Sequence, residues 1–241
     1  MPEQETVERS SRRGLSWPRL CELCRSWAPR SLCADCLQRF APLRPRCLGC
    51  AMPMPGEGRF CGECQREPPP YARCVAMADY GYPWDGLITA FKFRGRVDLA
   101  APLATALTQT LERQASLDVN LVIPVPLNPA RLAERGHNQA WEIARRVAAA
   151  THLPADAHSL LRLRDTAHQV GLSRSARATN LRHAFWVEPT RLSRVSGRHI
   201  ALVDDVLTTG VTAAAATRSL LQAGAASVQV WVLARTPRPD E

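Results

Sequence analysis

The sequence predicts an α/β fold, a mostly parallel sheet flanked by helices, with a cysteine-rich metal module at its amino end. Three observations predict it. Short continuous apolar runs, Leu121–Ile123, Ile200–Val203 and Val228–Leu233, read as strands buried on both faces of a parallel sheet, with helical spacing between them. Four Cys-x-x-Cys pairs fall within 44 residues. Finally, Ile200–Val203 meets two adjacent carboxylates, Asp204 and Asp205, where a buried strand is expected to stop and the acids to lie outside the core.

The chain of 241 residues, 46% of them hydrophobic, suffices for one α/β domain and a small appendage. Residues 1–17 are polar and are expected to be flexible. They lack the apolar segment of a secretion signal, and no run approaches the ~18–20 apolar residues of a membrane span, so a cytoplasmic protein is expected. The formal charge of +9 would fall to about +5 with eight thiolates on two zinc ions. Arginine supplies all but one of the 31 basic residues, so arginine clusters are weak evidence for a nucleic-acid surface. The single lysine, Lys92, is either a solvated helix residue or a ligand contact.

Residues 18–67 hold Cys21, Cys24, Cys33, Cys36, Cys47, Cys50, Cys61 and Cys64. In a reducing compartment, four such knuckles predict two structural Zn2+ sites, each a saturated S4 tetrahedron with no open catalytic position. Sequential pairing closes the shortest loops, whereas interleaved pairing joins the first knuckle to the third. A thioredoxin-like redox site would need a surrounding βαβ pattern that this segment lacks. Cys74 falls in a strand-like stretch and reads as a buried thiol. Pro68–Pro70 reads as a stiff hinge between the module and a domain spanning residues 71–241.

In that domain Tyr71–Tyr82 reads as a strand and Trp84–Phe93 as a helix. Asp98 reads as the N-cap of a helix whose stripe is Leu99, Leu103, Leu107 and Leu111. After Leu121–Ile123 a loop with Arg131, Arg135, Gly136 and Asn138 precedes the helix Ala140–Thr151. A strand there parallel to Ile200–Val203 would turn this loop toward the same crevice, where arginine grips diphosphate. Leu160–Ala184, with Gln169, Arg174 and Arg177, reads either as a basic lid or, from Ser173 on, as a solvated helix. Phe185–Val187 reads as a short strand, and Arg191–Arg198 as a basic connector. Past the acids come Thr208, Thr209, Gly210, Val211 and Thr212, then an Ala-rich helix, Ala213–Ala223, with Gly224 as its stop. Strand, acidic pair, hydroxyl-rich turn and helix start form a phosphate cradle at a carboxyl edge.

This last stretch resembles the phosphoribosyl-diphosphate loop of type I phosphoribosyltransferases. Together with the four knuckles, Ala90–Gly95, Val125–Leu127, Arg131, Arg135–Gln139, Thr166–Gln169, Arg177, Asn180 and Ala234–Thr236, the chain resembles the ComF family over nearly all of residues 20–236. One departure is His137, where that family usually carries Phe. The resemblance implies a zinc ribbon joined to a type I phosphoribosyltransferase-like domain, and a place in natural competence. It further implies that Asp204 and Asp205 hold ribose hydroxyls and that Thr208–Thr212 wraps a 5′-phosphate. Lys92, Arg131, Arg135, Gly136, Asn138, Gln169, Arg174 and Arg177 are then expected to meet diphosphate or nucleic acid.

Three functional expectations follow. The first is a cytoplasmic competence factor, either free or peripheral at the inner membrane, that binds phosphoribosyl diphosphate or a related phosphorylated sugar, single-stranded DNA, or both. Trp84 or Trp141 would be either stacking platforms or core. The second is a Mg2+-dependent phosphoribosyltransferase, with Asp204 and Asp205 as its catalytic pair. The third is a non-catalytic scaffold docking a competence helicase or channel protein.

Overall fold

The computed structural model describes residues 17–56, 58–114, 117–162 and 184–237. The cysteine module is two copies of one local design. In the first, strands β1 (Arg19–Leu20) and β2 (Trp27–Ala28) pair antiparallel beside the Cys21–Cys24 knuckle, and helix α1 (Ala34–Phe40) starts at Cys33, whose sulfur accepts from the Cys36 N–H. In the second, helix α2 (Gly62–Arg66) starts after Cys61. Each copy turns on a residue with positive φ just after its first knuckle, Arg25 at 61° and Ala51 at 57°. The N–H of that residue closes onto the carbonyl of Cys21 or Cys47, which points the sulfurs inward.

The second part runs β3 (Arg73–Asp79), α3 (Trp84–Phe93), α4 (Ala100–Glu112), β4 (Leu121–Pro124), α5 (Pro129–Arg135), α6 (Gln139–Ala150), β5 (Leu160–Arg162), β6 (Phe185–Val187), α7 (Leu192–Val195), β7 (His199–Leu207), α8 (Val211–Gln222) and β8 (Ser227–Arg235). Four strands form a parallel sheet in the order β3-β8-β7-β4, and β5 and β6 form a separate antiparallel ribbon. Alternation along the strands divides the core in two. Val75, Met77, Val122, Ala201, Val203 and Trp231 face α3, α4 and α6. Ala76, Ile123, Ile200, Leu202, Val230 and Val232 face α8 and the ribbon. The α/β architecture with a parallel sheet is thus as expected, and Leu121–Ile123 lies in register with Ile200–Leu202.

Several local expectations are corrected. Strand β7 does not stop at the acids but continues through them to Leu207, because its ladder with β8 runs on to Leu207 opposite Arg235. Asp205 is accordingly buried, at 4% exposure. Asp98 does not cap α4. It lies in a 3-10 turn, Val97–Leu99, and its carboxylate is taken by Arg96 at 2.6 Å. The arginine loop after β4 is largely helix α5, capped by Asn128 and ended by Gly136 at φ 73°. The connector Arg191–Arg198 contains α7.

The cysteine module is joined to the sheet by side chains as well as by the chain. Leu32 enters the core under α4, and the Trp84 indole N–H donates to the Phe40 carbonyl at 2.7 Å. The Cys74 N–H donates to the Leu48 carbonyl at 2.7 Å. Among the described residues no helix is long and apolar enough to cross a membrane.

Candidate functional site

The site grows from the carboxyl end of β7. Asp205 points its Oδ1 at Lys92 Nζ, 2.7 Å away at the last turn of α3, while its Oδ2 is buried without a hydrogen-bond partner. Asp204 accepts the Asp205 N–H at 2.8 Å. Burial pushes the Asp204 carboxyl up to about 7, with repulsion from Asp205 adding to it and Lys92 and Arg162 opposing it. One acid of the pair is therefore bridged to the Lys92 ammonium, and its neighbour takes up a proton near neutrality.

Past Leu207 the chain leaves the sheet with Thr208 and Thr209 exposed, and Gly210, at φ 78°, opens α8. A left-handed residue is needed at this corner, and a Cβ there would stand 3.4 Å from the buried Tyr71 hydroxyl, so both the angle and the space suit glycine. The first-turn amides of α8, at Val211 and Thr212, lack intrahelical acceptors and lie beside the two hydroxyls. Donors, hydroxyls and an acid pair meeting at one strand end can hold a phosphorylated polyol: amides for the phosphate, carboxylates for the diol.

The other expected residues fall into three groups. Lys92 is at the site, on Asp205. Arg135 stacks over the Phe93 ring at 4.5 Å, next to Lys92 in sequence, and Arg131 sits in the first turn of α5. Gly136 and Asn138 shape the backbone. Gly136 ends α5, and Asn138 caps α6 while its amide donates to the Val125 carbonyl at 3.2 Å, fixing the exit from β4. Gln169, Arg174 and Arg177, with the rest of the expected lid, lie outside the described residues. Its flanks Leu160–Arg162 and Phe185–Val187 pair with each other. His137 leans on Phe91, with ring centroids 5.7 Å apart, so the ring fills an aromatic role.

Two further residues shape the site, Arg162, which had no role assigned from sequence, and Arg235, which was expected in a carboxyl-edge loop, Arg235–Pro237, converging on the same crevice. Arg162, at the end of β5, is the second cation acting on Asp204. Arg235, buried at the end of β8, donates to the carbonyls of Cys50 at 2.8 Å, Leu207 at 3.0 Å, Thr236 at 2.8 Å and also Thr208. One guanidinium thus ties the second cysteine group to the turn before Gly210. Trp84, a candidate stacking platform, is core, at 1% exposure.

The eight knuckle cysteines form two sequential groups, Cys21, Cys24, Cys33, Cys36 and Cys47, Cys50, Cys61, Cys64, each with sulfurs within 4.8 Å of one another. Cys24 and Cys33 sulfurs are 3.7 Å apart, as are those of Cys50 and Cys61. A tetrahedron with metal–sulfur bonds of about 2.3 Å has edges of about 3.8 Å, so the spacing fits a metal ion and is far from a disulfide. Backbone N–H groups of Cys33 and Cys61 donate to the Cys21 and Cys47 sulfurs at 3.4 and 3.2 Å, which fixes where those two sulfurs point. The donor set is one that could hold Zn2+.

No family model matches the chain. DNA utilization protein YhgH of Escherichia coli K12 is 36% identical over 229 residues, 92% of this chain and 99% of that protein. Competence protein F of Haemophilus influenzae is 31% identical over 212 residues, 86% and 92% of the two chains. Among solved structures, glutamine phosphoribosylpyrophosphate amidotransferase from Bacillus subtilis aligns with a TM-score of 0.41 at 20% identity, covering 60% of this chain and 30% of that one. With relatives of this identity along almost its whole length, the chain belongs to the ComF family of competence proteins.

Proposed function

We propose that this protein is a competence factor that holds a phosphoribosyl ligand at the carboxyl edge of its sheet and assists the handling of single-stranded DNA in natural transformation, at the inner face of the inner membrane. The names of its relatives, Competence protein F and DNA utilization protein, support the role. The observation that carries the ligand is the Asp204–Asp205 pair set directly before an exposed Thr208–Thr209 turn and the Gly210 corner. In this reading the carboxylates take the ribose hydroxyls, and the amides and hydroxyls of residues 208–212 take the 5′-phosphate. Arg131, Arg135, Arg174 and Arg177 are the candidate contacts for the diphosphate or the DNA backbone. Residues 18–67 form a double Zn2+ ribbon that docks uptake proteins, residues 68–70 link it, and residues 71–241 form the ligand domain.

Phosphoribosyl transfer is the second reading, favoured by the split between an ammonium-paired Asp205 and an Asp204 that titrates near 7. In that reaction the C1–oxygen bond breaks, its electron pair leaves with diphosphate, and an acceptor nitrogen adds to C1. Mg2+ would neutralise the diphosphate when bound. The chain's part is to orient the ribose through Asp204 and Asp205 and to place cations around the leaving group.

Calorimetric titration of the metal-loaded protein with phosphoribosyl diphosphate and Mg2+ tests the binding. A saturable site abolished by Asp204→Asn/Asp205→Asn is expected, and no heat in the unaltered protein refutes it. Anisotropy of a labelled single-stranded oligonucleotide at physiological salt tests the second half. No binding there leaves only the scaffold role.

A further inference from the structure

A second basic cavity lies away from the acid pair, along the free edge of β3. It has a volume of about 220 Å³ and is lined by the linker between the two cysteine groups, by β3 and by the end of α4. Arg44, Arg46, Arg73 and Arg113 are among its lining residues and no acidic residue is, and the Arg44 and Arg46 guanidiniums end on Asp79 at the carboxyl end of β3. Arg73 opens β3 and Asp79 closes it opposite Arg235, so six strand residues, roughly 20 Å, separate the Arg73 end from the carboxyl edge.

Because arginine is so common in this chain, the number of guanidiniums alone decides nothing. Their pairing does. Arg44 and Arg46 share one carboxylate, Asp79, at 2.5 and 2.6 Å. Arg113 has no ion-pair partner among the described residues. Arg73 donates one N–H to Gln114, whose own amide is anchored on the Thr110 carbonyl at 3.3 Å, and its Nε is buried with no acceptor at all. Burial and the nearby Arg59 charge lower the pKa of Arg73, as expected where cations are crowded without a counter-anion. A cavity lined by arginines, of which Arg73 and Arg113 have no carboxylate partner among the described residues, lacks one thing, an anion with several acceptor oxygens.

We infer that this cleft is an anion site that takes a phosphoryl group, separate from the Asp204–Asp205 crevice and independent of what binds there. At about 220 Å³ it is smaller than the ~300–1,000 Å³ of sites that enclose a whole organic ligand. It adjoins a less polar cavity of about 810 Å³ between α1 and α4, sharing Leu43, Met77, Thr110 and Arg113 with it. The phosphoryl group sits between Arg73 and Arg113, and the body that carries it extends into the larger cavity. A phosphomonoester and a backbone phosphodiester both offer this chemistry.

The test uses the full-length, metal-loaded protein carrying Asp204→Asn/Asp205→Asn, so that failure of the phosphoribosyl reading leaves it unaffected. Inorganic phosphate, thymidine 5′-monophosphate and a thymidine oligonucleotide are titrated at matched ionic strength, with chloride as the blank. At least one probe is expected to bind, and Arg73→Met and Arg113→Gln each to weaken it tenfold or more. Arg113 is exposed at the end of α4, so its variant folds even where Arg73→Met does not. Tighter binding of the mononucleotide assigns a monoester, and tighter binding of the oligonucleotide assigns the backbone. No binding beyond the chloride blank, or binding that Arg113→Gln leaves unchanged, overturns the inference.

Discussion

Replacing Arg235 by methionine keeps the aliphatic stem and removes every donor that joins the second cysteine group to the ligand turn. Four carbonyls lose their donor, those of Cys50, Leu207, Thr208 and Thr236. Thr208 is exposed and Thr236 partly so, and water replaces the guanidinium there. The bonds to Cys50 and Leu207 set the scale. Each hydrogen bond from a charged donor is worth about 1.5–3 kcal/mol, which gives about 3–6 kcal/mol for the pair. In a chain of this size 1 kcal/mol moves Tm by about 2–4 °C, so Arg235→Met is expected to melt roughly 6–24 °C lower. Because Cys50 O is one of the acceptors, a chromophoric chelator should also strip metal faster from the Cys47–Cys64 group than in the unaltered protein. Arg235→Lys should recover little, since a point donor cannot span carbonyls on two sides. A melting shift under about 2 °C with unchanged chelation kinetics would refute the reasoning, because the penalty follows directly from burial and geometry.

Other consequences can be checked on the same protein. Asp204 titrates near 7 in the fold against a usual value of 3.8, so the folded state holds a proton that the unfolded chain has lost between those values. Its contribution to stability is full below about pH 4 and declines as pH rises to about 7. Asp204→Asn should flatten that part of the stability profile, measured by denaturant melts at each pH. A ligand that needs the ionised carboxylate should bind the unaltered protein more tightly as pH rises through 7. Lys92→Met leaves the buried Asp205 carboxylate without its cation and should cost about 3–5 kcal/mol in a denaturant melt at pH 8. Gly210→Ala forces a Cβ into a left-handed corner 3.4 Å from Tyr71, a change of about 1–2 kcal/mol that thermal melting reads.

The layout of the fold was legible where one segment carried its own signal. The runs at Leu121, Ile200 and Val228, the Leu99–Leu111 stripe and the helix Trp84–Phe93 needed only local pattern. Sequential pairing of the knuckles followed from loop length. The reading failed where a distant partner decides. Asp205 can stay in a strand because Lys92, more than a hundred residues earlier, neutralises it. The role of Arg235 depends on carbonyls from three separate stretches of chain. Helix α5 was a different miss, because Asn128-Pro129 and Gly136 are local start and stop signals outweighed by the abundance of arginine around them.

The most direct test of the central claim is a crystal structure of the metal-loaded protein soaked with phosphoribosyl diphosphate and Mg2+. The 5′-phosphate is expected on the amides and hydroxyls of residues 208–212, with the ribose hydroxyls on Asp204 and Asp205. A ligand seated elsewhere, with Asp205 still closed on Lys92 and the Gly210 turn empty, would contradict it.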